Sequence, residues 1–130
     1  MHPDFLGGAQ CVSASATTAP GYAHTAEGKK DYTQARALDI SEIPRIVADY
    51  VQAAKNAMVA GFDGVQIHAA NGYLIDQFLR DNTNLRTDEY GGNAAHRARF
   101  AIECLREMGQ AIGAGRVGLR VNPGNTYNDT

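Results

Sequence analysis

The chain has 130 residues, 44% of them hydrophobic and 20% charged, the balance of a soluble globular protein with enough apolar side chains for one modest core, as one domain or part of one. Twelve basic residues against fourteen acidic ones give a formal net charge of -2 with the signs mixed along the chain, which argues against a nucleic-acid footprint, since that needs a basic stripe. No apolar run approaches the ~18 residues of a membrane span, and the start Met1-His2-Pro3-Asp4 is neither basic nor followed by an apolar stretch, so the expectation is a cytoplasmic protein with no membrane segment.

From Met1 to about Asp39 there is no sustained period of either kind. Small and polar residues are punctuated by Gly7-Gly8, Pro20-Gly21 and Gly28-Lys29-Lys30, which predicts loop or short irregular strand across residues 1–40. So long a structureless stretch suits a region that covers something functional, or one whose surrounding domain lies elsewhere. From Ile40 the signal sharpens, and residues 41–130 form a second segment. Ser41 is positioned to cap a helix whose apolar stripe is Ile43, Ile46, Val47, Tyr50, Val51, Ala54, Ala57 and Met58, with Pro44 in the first turn and Gly61 at the end. Asp63-Gly64-Val65-Gln66-Ile67-His68 then reads as a short strand, followed by a polar loop to Gly91-Gly92. Asn93 caps a second helix with Phe100, Ala101, Cys104, Leu105, Met108 and Ile112 as its buried stripe, stopping at Gly113. Arg116 to Val121 is a further strand, halted by Pro123-Gly124.

Helix, strand, long loop, helix and strand in this order make a parallel βαβ unit, with the long loop at the C-terminal end of the first strand, where α/β barrels and open α/β sheets place their chemistry. Period-two alternation puts Val65 and Ile67 on one face and Gln66 and His68 on the other. In the second strand Val117, Leu119 and Val121 share one face, and Gly118 and Arg120 the other. A parallel sheet is normally covered on both sides, so a buried Arg120 there requires an anion or a dipole, supplied by a carboxylate elsewhere in the protein or by a bound ligand; the pattern alone weighs these equally. Cys11 and Cys104 are far apart without metal-ligand spacing, and Cys104 on an apolar face reads as a buried thiol.

Several motifs resemble those of the Old Yellow Enzyme family. The run from Ala60 through His68-Ala69-Ala70-Asn71-Gly72-Tyr73 to Leu79 resembles the segment in which a strand ends in H-x-x-N-x-Y. Arg86-Thr87-Asp88-Glu89-Tyr90-Gly91-Gly92 with Arg97 resembles the stretch after it, and Gly118-Leu119-Arg120-Val121-Asn122-Pro123 resembles the strand whose arginine touches the flavin. The likeness is most specific from Gly61 to about Asn128. Upstream, His2-Pro3, Val12-Ser13-Ala14-Ser15, Ala35-Arg36-Ala37-Leu38 and Glu42-Ile43 stay in register with it. Cys11 and Ala35 stand where the family tends to have proline, and Ala94-Ala95-His96 replaces its acidic first turn, departures that bear on loop and cap stability rather than on chemistry.

The resemblance implies an α/β fold that is part of a (β/α)8 TIM barrel, around strands 4 and 5, and incomplete in this chain, because such barrels take ~250 residues. It implies FMN as cofactor, NAD(P)H as co-substrate, and small activated alkenes (enones, maleimides, nitro compounds) as substrates. His68 and Asn71 are then the donors to the substrate oxygen, Tyr73 the proton donor, and Arg120 the flavin contact. The flavin phosphate site would lie outside this chain, which alone is expected to be inert. Asn at position 71 favours the alkene-reductase branch over branches with H-x-x-H.

Other readings accompany each assignment. His68 at a strand end can be a satisfied structural residue, and Tyr73 can pack with Leu74 and Phe78. His2, His24 and His96 read as loop or exposed-helix histidines; Asp88, Glu89 and Arg97 as a structural polar network; Gly91-Gly92 as a turn. As alternatives to the alkene reductase stand a related flavin/iron-sulfur barrel, such as a dienoyl-CoA reductase, and a non-catalytic module.

Overall fold

A computed structural model describes residues 1–124; the last part of the family-like stretch, as far as Asn128, lies outside the described residues. The first forty residues hold more regular structure than their composition suggests. A 3-10 turn over Pro3–Leu6 precedes strand β1 (Val12–Ser13), a hairpin of β2 (Tyr22–Thr25) and β3 (Gly28–Asp31), and strand β4 (Arg36–Ala37). β2 and β3 pair antiparallel with Tyr22 opposite Asp31, while β1 and β4 pair in parallel with Val12 opposite Arg36. The hairpin has no sequence signature because neither of its strands buries a residue fully, so no apolar face alternates with a polar one. His2 also departs from expectation. It is buried, and its Nδ1 accepts from the Asp4 N–H at 3.2 Å, capping the first turn.

Helix α1 (Ile43–Val59) is led in by a 3-10 turn, Ile40–Glu42, whose cap is Asp39 and not Ser41. The Asp39 carboxylate accepts from the Ser41 N–H at 2.8 Å and Glu42 accepts from the Asp39 N–H at 2.8 Å. This reciprocal box satisfies two backbone donors at once, which a lone serine hydroxyl cannot do. Glu42 also pairs with Arg36 at 2.6 Å, and the guanidinium, followed by the Asp39 N–H, holds its carboxyl down at about 2.

α1 leads to β5 (Val65–Ala69), the short helix α2 (Leu74–Leu79), α3 (Ala94–Ile112) and β6 (Val117–Val121), which contains the expected helix, strand, loop, helix and strand with one helix added inside the loop. β5 and β6 are parallel neighbours with Val65 opposite Val117 and His68 opposite Arg120. They start very close together: a Cβ on Gly64 would stand 2.7 Å from the Arg116 carbonyl oxygen, so that position admits only glycine without a backbone shift. Asn93 caps α3 through the His96 N–H at 3.0 Å, and Gly113 ends it at φ 98°.

One core joins these elements. Ile43, Val47 and Ala54 of α1, Ile67 and Ala69 of β5, Ile75 and Phe78 of α2, and Phe100, Cys104 and Met108 of α3 are buried together. Phe100 packs against Phe78 with ring centroids 4.7 Å apart and edge-on to Tyr50 at 6.2 Å. Burial pushes the Cys104 thiol up to about 12, so it sits in the core as a neutral apolar group. Among the described residues no helix is long and apolar enough to cross a membrane.

Candidate active site

The site is built at the C-terminal ends of β5 and β6. Along β5 the burial alternates, Ile67 and Ala69 facing the helices while Gln66 and His68 stand exposed on the other side. The parallel register carries this alternation across to β6 and sets Arg120 beside His68. Arg120 is exposed rather than buried, and among the described residues it has no ion-pair partner, because no described element covers this face. Leu119 and Val121 point the other way, and they too remain 38% and 53% exposed, since the core below them does not reach the end of β6.

Beyond β5 the chain turns sharply. Asn71 adopts a left-handed conformation at φ 59°, one that asparagine tolerates, and Gly72 follows at φ 74°. Tyr73 then stands at the N-cap of α2 with no side-chain capping bond and with its ring exposed. The ring does not pack with Phe78. Phe78 is fully buried beside Tyr90 and Phe100, whereas Tyr73 is 55% exposed with its ring centroid 5.2 Å from that of His68. Tyr73 also borders a hollow lined by Cys11, Ser13, Tyr32, Gly72 and Gln77, through which the N-terminal strands approach the turn.

The turn is braced from below. The Gly72 N–H donates to Asp76 Oδ2 at 2.9 Å, and Gln77 Nε2 donates to the Gly72 carbonyl at 2.7 Å. Gln77 Oε1 in turn accepts from Ser13 Oγ on β1 at 2.8 Å. These residues escaped the sequence reading, although an acid three positions after a residue unable to cap its own helix is half of a capping-box pattern.

The segment after α2 is a polar network, as its composition suggested. Arg86 donates to the Ala14 and Leu38 carbonyls at 2.9 and 2.7 Å and grips Asp88 with two nitrogens, which holds the Asp88 carboxyl below its usual range. Arg97 donates to the Leu79 and Gly92 carbonyls, and Glu89 pairs with Arg99 at 2.6 Å. A Cβ on Gly91 would overlap the Arg86 backbone, so this glycine serves a close approach in a turn.

A parallel βαβ unit with a histidine and an arginine side by side at its strand ends, and a tyrosine from the following loop beside the histidine, has the arrangement of an α/β protein with its candidate site on the C-terminal side of the sheet. The chain belongs to the NADH:flavin oxidoreductase / NADH oxidase family, whose sequence pattern matches residues 4–130. It is 51% identical over 121 residues to a chanoclavine-I aldehyde reductase of Penicillium roqueforti, covering 93% of this chain and 30% of that protein. It is 47% identical over 127 residues to a probable flavin mononucleotide-dependent alkene reductase of Leishmania infantum, covering 94% and 35%. The structure of the old yellow enzyme homologue from Zymomonas mobilis superposes with a TM-score of 0.95 at 48% identity, over all of this chain and 36% of that one. The fold is therefore part of a (β/α)8 barrel, and the chain spans about a third of the length of the relatives it matches.

Proposed function

We propose that this chain is the substrate-handling segment of an FMN-dependent, NAD(P)H-consuming reductase of activated alkenes, acting in the cytoplasm on small enones, maleimides or nitro compounds. The observation that carries the reading is the juxtaposition at the strand ends, His68 in register with Arg120 and the Tyr73 ring 5.2 Å from the His68 ring. The residues suit a bound flavin. Arg120 is a permanent cation on an open face, with no protein anion beside it among the described residues, a match for the region of an isoalloxazine where negative charge collects on reduction.

FMN, when bound, supplies the hydride that it has taken from NAD(P)H. The imidazole of His68 and the carboxamide of Asn71 donate hydrogen bonds to the carbonyl or nitro oxygen of the alkene. This polarises the β-carbon for attack and stabilises the enolate or nitronate charge that develops. The Tyr73 hydroxyl delivers a proton to the α-carbon from the face opposite the hydride. Its exposure leaves that hydroxyl accessible to a ligand.

Tyr73→Phe in the complete enzyme tests this assignment. Flavin reduction by NAD(P)H stays near the parental rate while enone reduction falls ~100-fold to ~10,000-fold, the usual contribution of a placed general acid. A nitroalkene is the internal control, because its nitronate is stable enough to leave and take a proton from water. Parental enone turnover in the variant, or equal slowing of both half-reactions, would remove Tyr73 from the mechanism.

A further inference from the structure

The turn that presents Asn71 and Tyr73 is closed by one long backbone bond, from the Tyr73 N–H to the Ala70 carbonyl at 3.3 Å. Two successive left-handed residues, Asn71 and Gly72, separate the end of β5 from α2, and glycine imposes little preference of its own. The residue at the helix N-cap, Tyr73, contributes no side-chain bond to hold the first turn. Other groups reinforce it.

Two consecutive residues of α2 do so, from opposite ends of one glycine. Asp76 Oδ2 accepts from the Gly72 N–H, which belongs to the peptide that follows Asn71. Gln77 Nε2 donates to the Gly72 carbonyl, which belongs to the peptide that precedes Tyr73. The two planes flanking the proposed donors are thus each tied to α2. The Asp76 carboxylate is only 3% exposed, so it is a buried charge in need of compensation, and Arg80 Nε provides this at Oδ1, 3.1 Å away. The same guanidinium reaches the far strand, its Nη2 donating to the Asn122 carbonyl at 2.8 Å, two residues past Arg120. Asp76 therefore touches both halves of the site, the turn directly and the end of β6 through Arg80.

We propose that Asp76 is a positioning residue of this site. Its buried carboxylate fixes the Gly72 peptide so that Asn71 and Tyr73 converge on one substrate, while its pair with Arg80 ties α2 to the chain just past β6 and contributes stability. Gln77, anchored on Ser13, is the second arm of the clamp. The proposal rests on the reading of Asn71 and Tyr73 given above and assigns Asp76 no contact with substrate or flavin.

The test uses three variants of the complete enzyme, read by bound FMN content, by titration with a phenol followed through flavin absorbance, and by Tm. Asp76→Ala retains FMN but binds the phenol ~10-fold to ~100-fold more weakly, the scale expected when positioned groups drift by about an ångström. Asp76→Asn keeps an oxygen for the Gly72 N–H while losing the ion pair to Arg80, so it recovers most of the affinity even as its Tm falls. A purely structural role would lower Tm in both variants and leave phenol affinity alone, and that result overturns the proposal, as does equal loss of affinity in both. Where Asp76→Ala does not fold, Gln77→Leu decides: weaker phenol binding with FMN retained supports the clamp, parental binding overturns it. Failure of the underlying reading has a different signature, since phenol binding would then be indifferent to replacement of His68 and Asn71 in the parental enzyme.

Discussion

The two sides of the β5–β6 pair divide the molecule's tasks between alternate residues of the same strands. On the helix side, Ile67 and Ala69 are buried under α1, α2 and α3, with Phe78, Phe100 and Cys104 closing the core behind them. On the other side, Gln66, His68 and Arg120 are exposed and take no part in that packing. A change on the first side alters how much apolar surface leaves water, and so the stability of the whole unit. A change on the second alters only what a ligand meets. The contrast explains how the chain can carry an exposed cation and an exposed phenol without cost to its core.

The largest effect should come from the helix side. Phe100→Ala in the complete enzyme removes a fully buried ring that packs on Phe78 and Tyr50, and should cost about 3–5 kcal/mol of stability. Chemical denaturation measures the loss, and a cost below ~1 kcal/mol would mean the core relaxes around the cavity. The open side should respond the opposite way. Replacing His68 by leucine and Asn71 by glycine, which keeps the left-handed backbone at φ 59° without strain, should leave the denaturation midpoint close to parental while enone turnover drops by at least ~100-fold, the effect of losing donors to a developing oxyanion. A midpoint that falls as far as in Phe100→Ala would erase the division between the two sides.

Arg120→Met sharpens the comparison on the far strand. Deprived of a charge-assisted hydrogen bond, the variant should hold FMN about tenfold more weakly, and its reduction by NAD(P)H should slow. Equilibrium dialysis of the flavin gives the first number and stopped-flow absorbance the second; if neither moves, Arg120 belongs with the structural residues.

The smallest effect concerns pH. Glu42 is held at about 2 in the fold against an ordinary value of 4.5, chiefly by Arg36. A depressed carboxyl contributes stability that is complete above its unfolded value and disappears as pH falls through the folded one. The parental enzyme should therefore lose its Tm advantage over Glu42→Gln between about pH 4.5 and about pH 2, with no difference in slope at neutral pH. Parallel Tm curves across that window would show that the pair with Arg36 contributes nothing, as happens with many exposed ion pairs.

Local pattern was sufficient for much of this protein. The apolar stripes of α1 and α3, the alternation in β5, the cap at Asn93 and the stop at Gly113 are properties of neighbours three or four residues apart, so the sequence itself determined them. It also pointed to the residues of the candidate site, because their motif is contiguous from His68 to Tyr73 and only Arg120 stands apart. What it could not determine depends on partners distant along the chain. Two local features gave no signal either: the hairpin β2–β3 has no apolar face, and Asp39 rather than Ser41 caps the 3-10 turn before α1 because Glu42, three residues on, completes the box. Whether Tyr73 packs in the core or faces the site was decided by Phe78, which occupies the space between Tyr90 and Phe100. The brace beneath the turn belongs to the same class, since the bond from Ser13 to Gln77 joins residues 64 positions apart. Contacts of that range leave no period in a sequence, and their geometry exists only once the backbone has brought the two residues together.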